Sequence, residues 1–414
     1  AQFPVDKRNV TAAVFLWNAR HLWMLVNHHA SMSSYLSLLL LSRRTKEEGT
    51  FLSYSFGGGA AIVSLMYLLT VRCLRYQRYE LVQKRREHVT YGKEHFVWLA
   101  NVPNKYEFPW ADVRATELGF FRTYAIPSVA KLLVATREFE RDAQKRIEDT
   151  SLLIFEFCES DPKSPRGEAA LRRLNAIHGK YKISNGDFLH VLSVFVLAGQ
   201  QWIDQYEWRK VSDVERKARA NFWIEVGKAM GLTDIPADYD AFVAFQQAYE
   251  LKHMRYHPAN RKVSDQTFAG FADAVIPWRC LAKPAIPLMR AAVCGLLEPH
   301  IVEAIGYEPP SPWLRALLVS LLKLRACAIR HLFLPRRDDC PHLRCAPHTE
   351  VDRKASVRAA ASCPRIPMSF PYGGQARSRH ASGYTIDTLG PRSAVPGELG
   401  CLGGGGCGAN VAAA

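Results

Sequence analysis

Apolar side chains recur at every third or fourth position over most of the chain between residues 111 and 334. This spacing places them on one face of an α-helix, and no run of alternating apolar and polar residues indicates a β-strand. The pattern therefore predicts an all-α fold. The predicted helices span residues 111–123, 128–159, 165–181, 188–202, 213–230, 239–256, 282–297 and 312–334.

Residues suited to helix ends flank several of these helices. Ser164, Ser212 and Asp238 each precede a predicted helix, where a side-chain oxygen can accept a hydrogen bond from a free backbone N–H group. Gly231 follows the helix that ends at Met230, and glycine readily adopts the left-handed conformation that terminates helices. The sequence thus predicts several helix boundaries as well as the helices.

One uncharged segment, residues 51–71, differs from the amphipathic helices that follow it. A helix of this length spans roughly 30 Å, the thickness of the hydrocarbon core of a bilayer. We predict a transmembrane helix here, and the alternative is a helix buried inside a protein domain. Arginine or lysine follows at positions 72, 75, 78, 84, 85 and 86. This excess of positive charge predicts that the rest of the chain lies in the cytosol.

Basic residues outnumber acidic residues, and the full chain of 414 residues carries a formal net charge of +15. Such an excess favours an anionic partner, either nucleic acid or a membrane surface. Many of the basic residues lie beside the apolar segment or in the C-terminal tail, and no nucleic-acid-binding motif is present. We therefore predict a lipid bilayer as a partner and no nucleic acid.

A histidine interrupts an apolar stripe on the predicted helix 165–181. Leu171, Leu174, His178 and Tyr181 recur at steps of three and four residues, which align side chains on one helix face. Gly179 follows the histidine and lacks a side chain, so a flat macrocycle could approach the backbone there. Two interpretations remain: a core histidine bonded to a backbone carbonyl, or a histidine that binds a buried ligand.

Four blocks of sequence occur in the same order as in a known enzyme family. They are residues 121–127 (FRTYAIP), 146–150 (RIEDT), 171–185 (LRRLNAIHGKYKISN) and 222–231 (FWIEVGKAMG). From about residue 91 to residue 310, the chain resembles the fungal endoplasmic-reticulum-bound oxygenases (mpaB-like) that cleave prenyl side chains. It also resembles their relatives, the bacterial rubber oxygenases or latex-clearing proteins. The resemblance implies a haem b cofactor.

The resemblance implies that His178 is the metal ligand, because the rubber oxygenases bind the haem iron through a histidine of the corresponding helix. Gly179 is predicted to lie beside the cofactor, and Lys182 is a candidate partner for a haem propionate or a surface lysine. His190, on the next predicted helix, is the rival candidate for cofactor binding.

Arg146, Asp149 and Thr150 lie at positions i, i+3 and i+4 of a predicted helix and therefore share one face. The resemblance implies that this face is the distal, catalytic side of the haem. The rubber oxygenases have a lysine where this chain has Asp149, so the distal ligand state of those enzymes does not carry over. The alternative is a solvated charged face.

Together these observations predict a membrane-anchored, haem-dependent oxygenase that uses dioxygen to cleave a C=C bond in a prenyl or isoprenoid chain, in secondary metabolism. The alternative is a non-catalytic helical membrane protein that keeps the fold without haem. The predicted location is the endoplasmic reticulum membrane, with a single pass and a cytosolic catalytic domain.

The predicted fold is a large globin-like helical bundle with one N-terminal transmembrane helix and a disordered C-terminal tail. Residues 1–50 carry no assigned structure, and a basic juxtamembrane helix follows the transmembrane helix at 72–90. The predicted oxygenase-like catalytic domain spans residues 91–334, and the predicted disordered tail spans 335–414, where apolar residues are sparse.

Overall fold

Helices make up most of the described chain, which confirms the all-α prediction. The computed structural model describes residues 50–159, 161–276, 278–337, 356, 358 and 378–391. The N-terminal segment before residue 50 and most of the predicted tail lie outside the described residues. The helices are α1 (Thr50–Arg75), α2 (Gln77–Lys84), α3 (Phe96–Val102), α4 (Pro109–Tyr124), α5 (Pro127–Thr136), α6 (Glu138–Cys158), α7 (Pro165–His178), α8 (Asn185–Tyr206), α9 (Asp213–Ala229), α10 (Tyr239–His253), α11 (Pro258–Val275), α12 (Arg279–Leu296), α13 (Pro299–Ala304) and α14 (Pro312–Leu332).

Several helix ends lie where the sequence predicts them. Ser212 and Glu215 form a reciprocal capping box at the start of α9, with each side chain bound to the backbone N–H group of the other residue. Asp238 accepts a hydrogen bond from the N–H group of Ala241 at 2.9 Å, at the start of α10. Gly231 has φ +74° just beyond α9, which confirms its predicted left-handed conformation.

Two predicted helices are shorter than the sequence pattern suggests. The predicted helix 128–159 is divided at Arg137, whose φ of +58° is left-handed and separates α5 from α6. The predicted helix 165–181 ends at His178. Tyr181 is therefore outside the helix, and the stripe that includes it is shorter by one turn. Helix α11 was not predicted.

Helix α6 lies at the centre of the arrangement that positions the site. It packs against α7 on one side and α11 on another, and it contributes to two hydrophobic clusters. Helices α4 and α8 pack closely, since a Cβ atom at Gly119 of α4 would lie 2.5 Å from Val194 of α8. The buried contacts of α4, α6, α7 and α8 therefore hold these helices in fixed relative positions.

Residues 378–391 form an ordered segment inside the tail that the sequence predicts to be disordered. Tyr384, Ile386 and Leu389 are buried and join the hydrophobic cluster that includes α6 and α7. The carbonyl of Leu389 accepts a hydrogen bond from the Arg173 Nε group of α7 at 2.9 Å. The prediction of disorder is corrected for these residues, because their buried apolar side chains offset the entropy lost on ordering.

Helix α1 contains the segment predicted to cross a membrane and continues to Arg75. A short second helix, α2, follows it. Within the part of the chain that the structure describes, no single helix meets the length and apolarity required of a membrane span. Helices α4 and α5, bent by 98° relative to each other, meet those requirements as a pair by length and composition only.

Candidate functional site

The predicted catalytic residues of α6 lie next to one another, and two of them are bonded together. The Arg146 guanidinium donates to the Thr150 hydroxyl, and that hydroxyl donates to the carbonyl of Arg146 at 2.9 Å. The guanidinium carbon also lies 5.7 Å from the ring centroid of Phe139 on the same helix. These contacts within one helix fix the position of a positive charge.

His178 is the last residue of α7, and its ring lies against Phe188 of α8 with centroids 5.2 Å apart. Its Nδ1 atom is buried, and the described residues provide no hydrogen-bond partner for it. Burial, together with the smaller effect of the nearby charge of Arg146, lowers the pKa of His178 to about 4. The imidazole is therefore neutral near pH 7, the form that can bind a metal through nitrogen.

The positive charge of Arg146 on α6 affects the pKa of one group on each of two neighbouring helices. Burial raises the pKa of Tyr124, the last residue of α4, whereas the positive charge of Arg146 acts in the opposite direction. The Tyr124 ring also packs edge-on against Phe139, with centroids 6.2 Å apart. The charge of Arg146 thus lowers the pKa of a group at the end of α4 and of a group at the end of α7.

Asp149 is on the same side of α6, but its carboxylate is bound by other groups. Oδ2 lies 2.8 Å from Lys145 Nζ, one helical turn earlier. Oδ1 lies 2.7 Å from Nε2 of His380, in the C-terminal segment. The structure thus places Asp149 beside Arg146 along the helix and directs its carboxylate towards residues 378–391.

His190 belongs to a different network, which joins α8 to α10. Its Nε2 atom lies 3.0 Å from Glu250 Oε1, and its ring stacks on Tyr249 with centroids 5.5 Å apart. Glu250 also accepts a hydrogen bond from Arg122 at 2.6 Å. The His190 ring is fully buried, and its Nδ1 atom also lacks a partner among the described residues. The two candidate histidines therefore differ in access, since His178 is partly exposed.

Gly179 and Lys182 lie beyond the end of α7 and are exposed. Because the helix stops at His178, Lys182 does not lie one helical turn beyond the histidine on the same face. At Gly179, a Cβ atom would lie 3.2 Å from the carbonyl oxygen of Asn175. Gly179 therefore allows the chain to turn closely around the end of the helix next to His178.

A separate cavity of about 60 Å³ lies against another face of α6. Its walls combine aromatic side chains, among them Phe155 and Trp223, with the ion pair of Asp112 and Arg219, whose atoms are 2.9 Å apart. Its lining includes none of the predicted site residues. The cavity is therefore separate from the surroundings of His178.

Two residues next to the predicted site were missed by sequence reasoning. Tyr124 belongs to the block 121–127, but no sequence spacing connects it to Arg146. His380 lies in a segment of low apolar content, more than 200 residues after Asp149. Only the tertiary fold reveals either contact.

Comparison with known proteins identifies the family. The family model for the catalytic domain of the ER-bound oxygenase mpaB/B' and rubber oxygenase matches residues 110–328. The chain belongs to this family. It is 30% identical over 294 residues to the ER-bound oxygenase mpaB' of Penicillium brevicompactum, a match that covers 65% of this chain and 68% of the relative.

A second relative, the ER-bound oxygenase mpaB of Penicillium roqueforti (strain FM164), is 31% identical over 240 residues, covering 52% of this chain and 80% of that protein. This member of the mpaB and rubber oxygenase family is thus an oxidoreductase of the oxygenase class, which acts on a small molecule with dioxygen. The family assignment favours an enzyme over the non-catalytic alternative.

The protein should lose stability as the pH falls from about 6.5 to about 4. His178 binds a proton at its ordinary pKa of 6.5 when the chain is unfolded, but only near pH 4 when it is folded. Above pH 6.5 neither state binds this proton, so the free energy of unfolding is undiminished there. Between pH 6.5 and pH 4 the unfolded state holds more protons than the folded state, so the free energy of unfolding should decline by at most about 3 kcal/mol.

Denaturant unfolding across this pH range measures the effect, and His178→Gln is the control because glutamine does not titrate. The variant should lack the part of the decline that His178 contributes. An identical decline of the free energy of unfolding with pH in the two proteins would contradict the lowered pKa of His178 in the folded state.

Proposed function

We propose that this protein is a haem-dependent oxygenase that cleaves a carbon–carbon double bond in the prenyl chain of a small molecule. The observation that carries the proposal is the His178 ring, a neutral imidazole with an unpartnered buried nitrogen near a fixed guanidinium. Imidazole is a common axial ligand of haem iron. Haem b, when bound, would supply the iron chemistry that activates dioxygen.

His178 supports the ligand role better than His190. A macrocycle needs open space beside the ligand, and the His178 ring is partly exposed at the end of its helix. The His190 ring is enclosed between Glu250 and Tyr249 and would have to break that packing to reach a cofactor. Exposed Lys182 would remain free to pair with a propionate at the protein surface.

Arg146 would supply electrostatic stabilisation within the site. Its guanidinium is held by Thr150 and lies close enough to His178 to lower the pKa of the histidine. A fixed positive charge in a partly buried site stabilises negative charge that develops nearby, because the positive group is already in place and does not have to reorganise. The Thr150 hydroxyl keeps the guanidinium in place, and Asp149 would contribute negative charge beside it.

The exposed apolar surface of α1 supports attachment to a membrane. Ile62, Leu65, Met66 and Leu69 are each more than half exposed, an arrangement that is unfavourable in water and favourable in lipid. The Tyr67 hydroxyl donates to the carbonyl of Leu332 at 2.9 Å and thereby joins α1 to α14. We infer that residues 51–71 form a single-pass anchor with the catalytic domain in the cytosol, and the relatives, which are named ER-bound, point to the endoplasmic reticulum as the membrane.

Product analysis under labelled dioxygen tests the proposed reaction. Oxidative cleavage converts one C=C bond and one dioxygen molecule into two carbonyl groups, each with one oxygen atom from dioxygen. The full chain, supplied with haemin in detergent micelles, should convert a farnesylated phenol under ¹⁸O₂ into two labelled fragments. Immediate reduction to the alcohols would preserve the label. A hydroxylated product with an intact prenyl chain would contradict the proposal, and His178→Gln should yield no fragments.

A further inference from the structure

Contacts at both ends hold the C-terminal segment 378–391 against α6 and α7. At its start, Ser378 Oγ and the N–H group of Arg379 donate to the same carboxylate oxygen of Glu148, at 2.9 Å and 2.8 Å. At its end, Gly390 has φ +111°, and a Cβ atom there would lie 2.6 Å from the Ile177 side chain. The segment is therefore fixed in position along the two helices, and it contacts the residue that precedes His178.

His380 projects from this segment towards α6. Its ring is nearly buried, and Nε2 lies 2.7 Å from Asp149 Oδ1. Its backbone N–H group donates to Ser378 Oγ at 2.9 Å, and its ring packs edge-on against Tyr384 with centroids 6.0 Å apart. The backbone and the ring of His380 are thus both held where the ring meets Asp149.

Asp149 depends on this contact for a fixed orientation. Among the described residues, the other ion-pair partner of its carboxylate is Lys145, whose Nζ atom lies 2.8 Å from Oδ2. The lysine side chain is long and flexible. With one oxygen bound by Lys145 and the other by His380, the carboxylate cannot rotate freely. Because Asp149 lies between Arg146 and Thr150 in the sequence of α6, its orientation sets where negative charge lies beside the site.

We infer that His380 is a positioning residue of the oxygenase site, which holds the Asp149 carboxylate towards the C-terminal segment and so away from an anion bound near Arg146. The inference rests on the proposed function, since it assigns Asp149 to the open side of the cofactor. In it, the C-terminal segment is part of the site, and His380 acts through Asp149 rather than by touching a reacting atom.

A cycle of variants tests this role in the full chain. His380→Phe keeps a ring beside Tyr384 but removes both ring nitrogens, and His380→Gln retains a hydrogen-bonding group for Asp149. Each is made alone and in the Asp149→Asn background. His300→Phe, the same change at an exposed histidine of α13, is the matched control.

Two readouts are used. The first is the affinity of ferric, haemin-loaded protein for azide, measured by absorption. The second is hydrogen exchange of residues 378–391 in haem-free protein, which reports docking of the segment independently of the cofactor.

We expect His380→Phe to weaken azide binding about tenfold, because the freed carboxylate can turn towards the anion. In the Asp149→Asn background the same change should leave azide affinity unaltered. His380→Gln and His300→Phe should behave like the wild type. In haem-free wild-type protein, residues 378–391 should be protected from exchange.

Three results would overturn the inference alone: an unprotected segment, unchanged azide affinity in His380→Phe, or an equal loss of affinity in both Asp149 backgrounds. Wild-type protein that takes up no haemin would overturn the proposed function, and this inference with it. The failure of one is therefore distinguishable from the failure of the other.

Discussion

His178→Gln is expected to abolish haem retention while the helical fold persists. Glutamine is similar in size to histidine but is a poor ligand for haem iron. The histidine is partly exposed at the end of α7, so its replacement should cost little packing energy. Haem content of the purified variant, measured as the pyridine haemochrome, should fall to background, and the far-ultraviolet circular dichroism should match that of the wild type.

His190→Phe provides the control for this prediction, because it alters the rival histidine. Phenylalanine can stack on Tyr249, and Glu250 keeps its hydrogen bond from Arg122. We therefore expect this variant to keep its haem, with some loss of stability. If His178→Gln retained haem and His190→Phe lost it, the ligand assignment would move from α7 to α8.

The second large effect concerns a buried ion pair that joins α6 to α7. Arg166 donates two hydrogen bonds to Glu156, at 2.8 Å and 2.7 Å, and both side chains are fully buried. Tyr384 of the C-terminal segment donates to the same carboxylate at 2.6 Å. Arg166→Met should lower the free energy of unfolding by about 3–5 kcal/mol, because it leaves a buried carboxylate without its cationic partner.

Denaturant unfolding measures this loss, and two further variants control for it. Arg172→Met breaks the exposed pair of Arg172 and Glu168 on the same helix, and it should cost less than about 1 kcal/mol. The double variant Glu156→Leu with Arg166→Met removes both charges and should recover much of the lost stability. A cost for Arg166→Met as small as that of the exposed pair would show that the buried pair does not join the helices as described.

Local sequence signals predicted much of the fold because they act over a few residues. Ser212, Asp238 and Gly231 mark helix ends in the structure as they do in the sequence. The division at Arg137 was missed, because a left-handed arginine carries no compositional signal. Residues 378–391 were also missed, since their few apolar side chains are buried only through contact with distant helices.

The candidate site shows the same distinction between local and distant contacts. Helical spacing correctly grouped Arg146 with Thr150, which are bonded one turn apart. It could not predict that the Asp149 carboxylate is bound by His380, because that contact joins residues separated by 231 positions. The stripe through His178 was right in its helix and wrong in its length, since Tyr181 lies beyond His178, the last helical residue.

The absorption spectrum of the purified wild-type chain tests the central claim most directly. The protein would be expressed with a haem precursor under reducing conditions, extracted in detergent and compared with His178→Gln prepared in the same way. The account predicts a Soret band with about one haem per chain in the wild type and none in the variant. A folded wild-type protein without a Soret band would contradict the claim that this oxygenase works with haem.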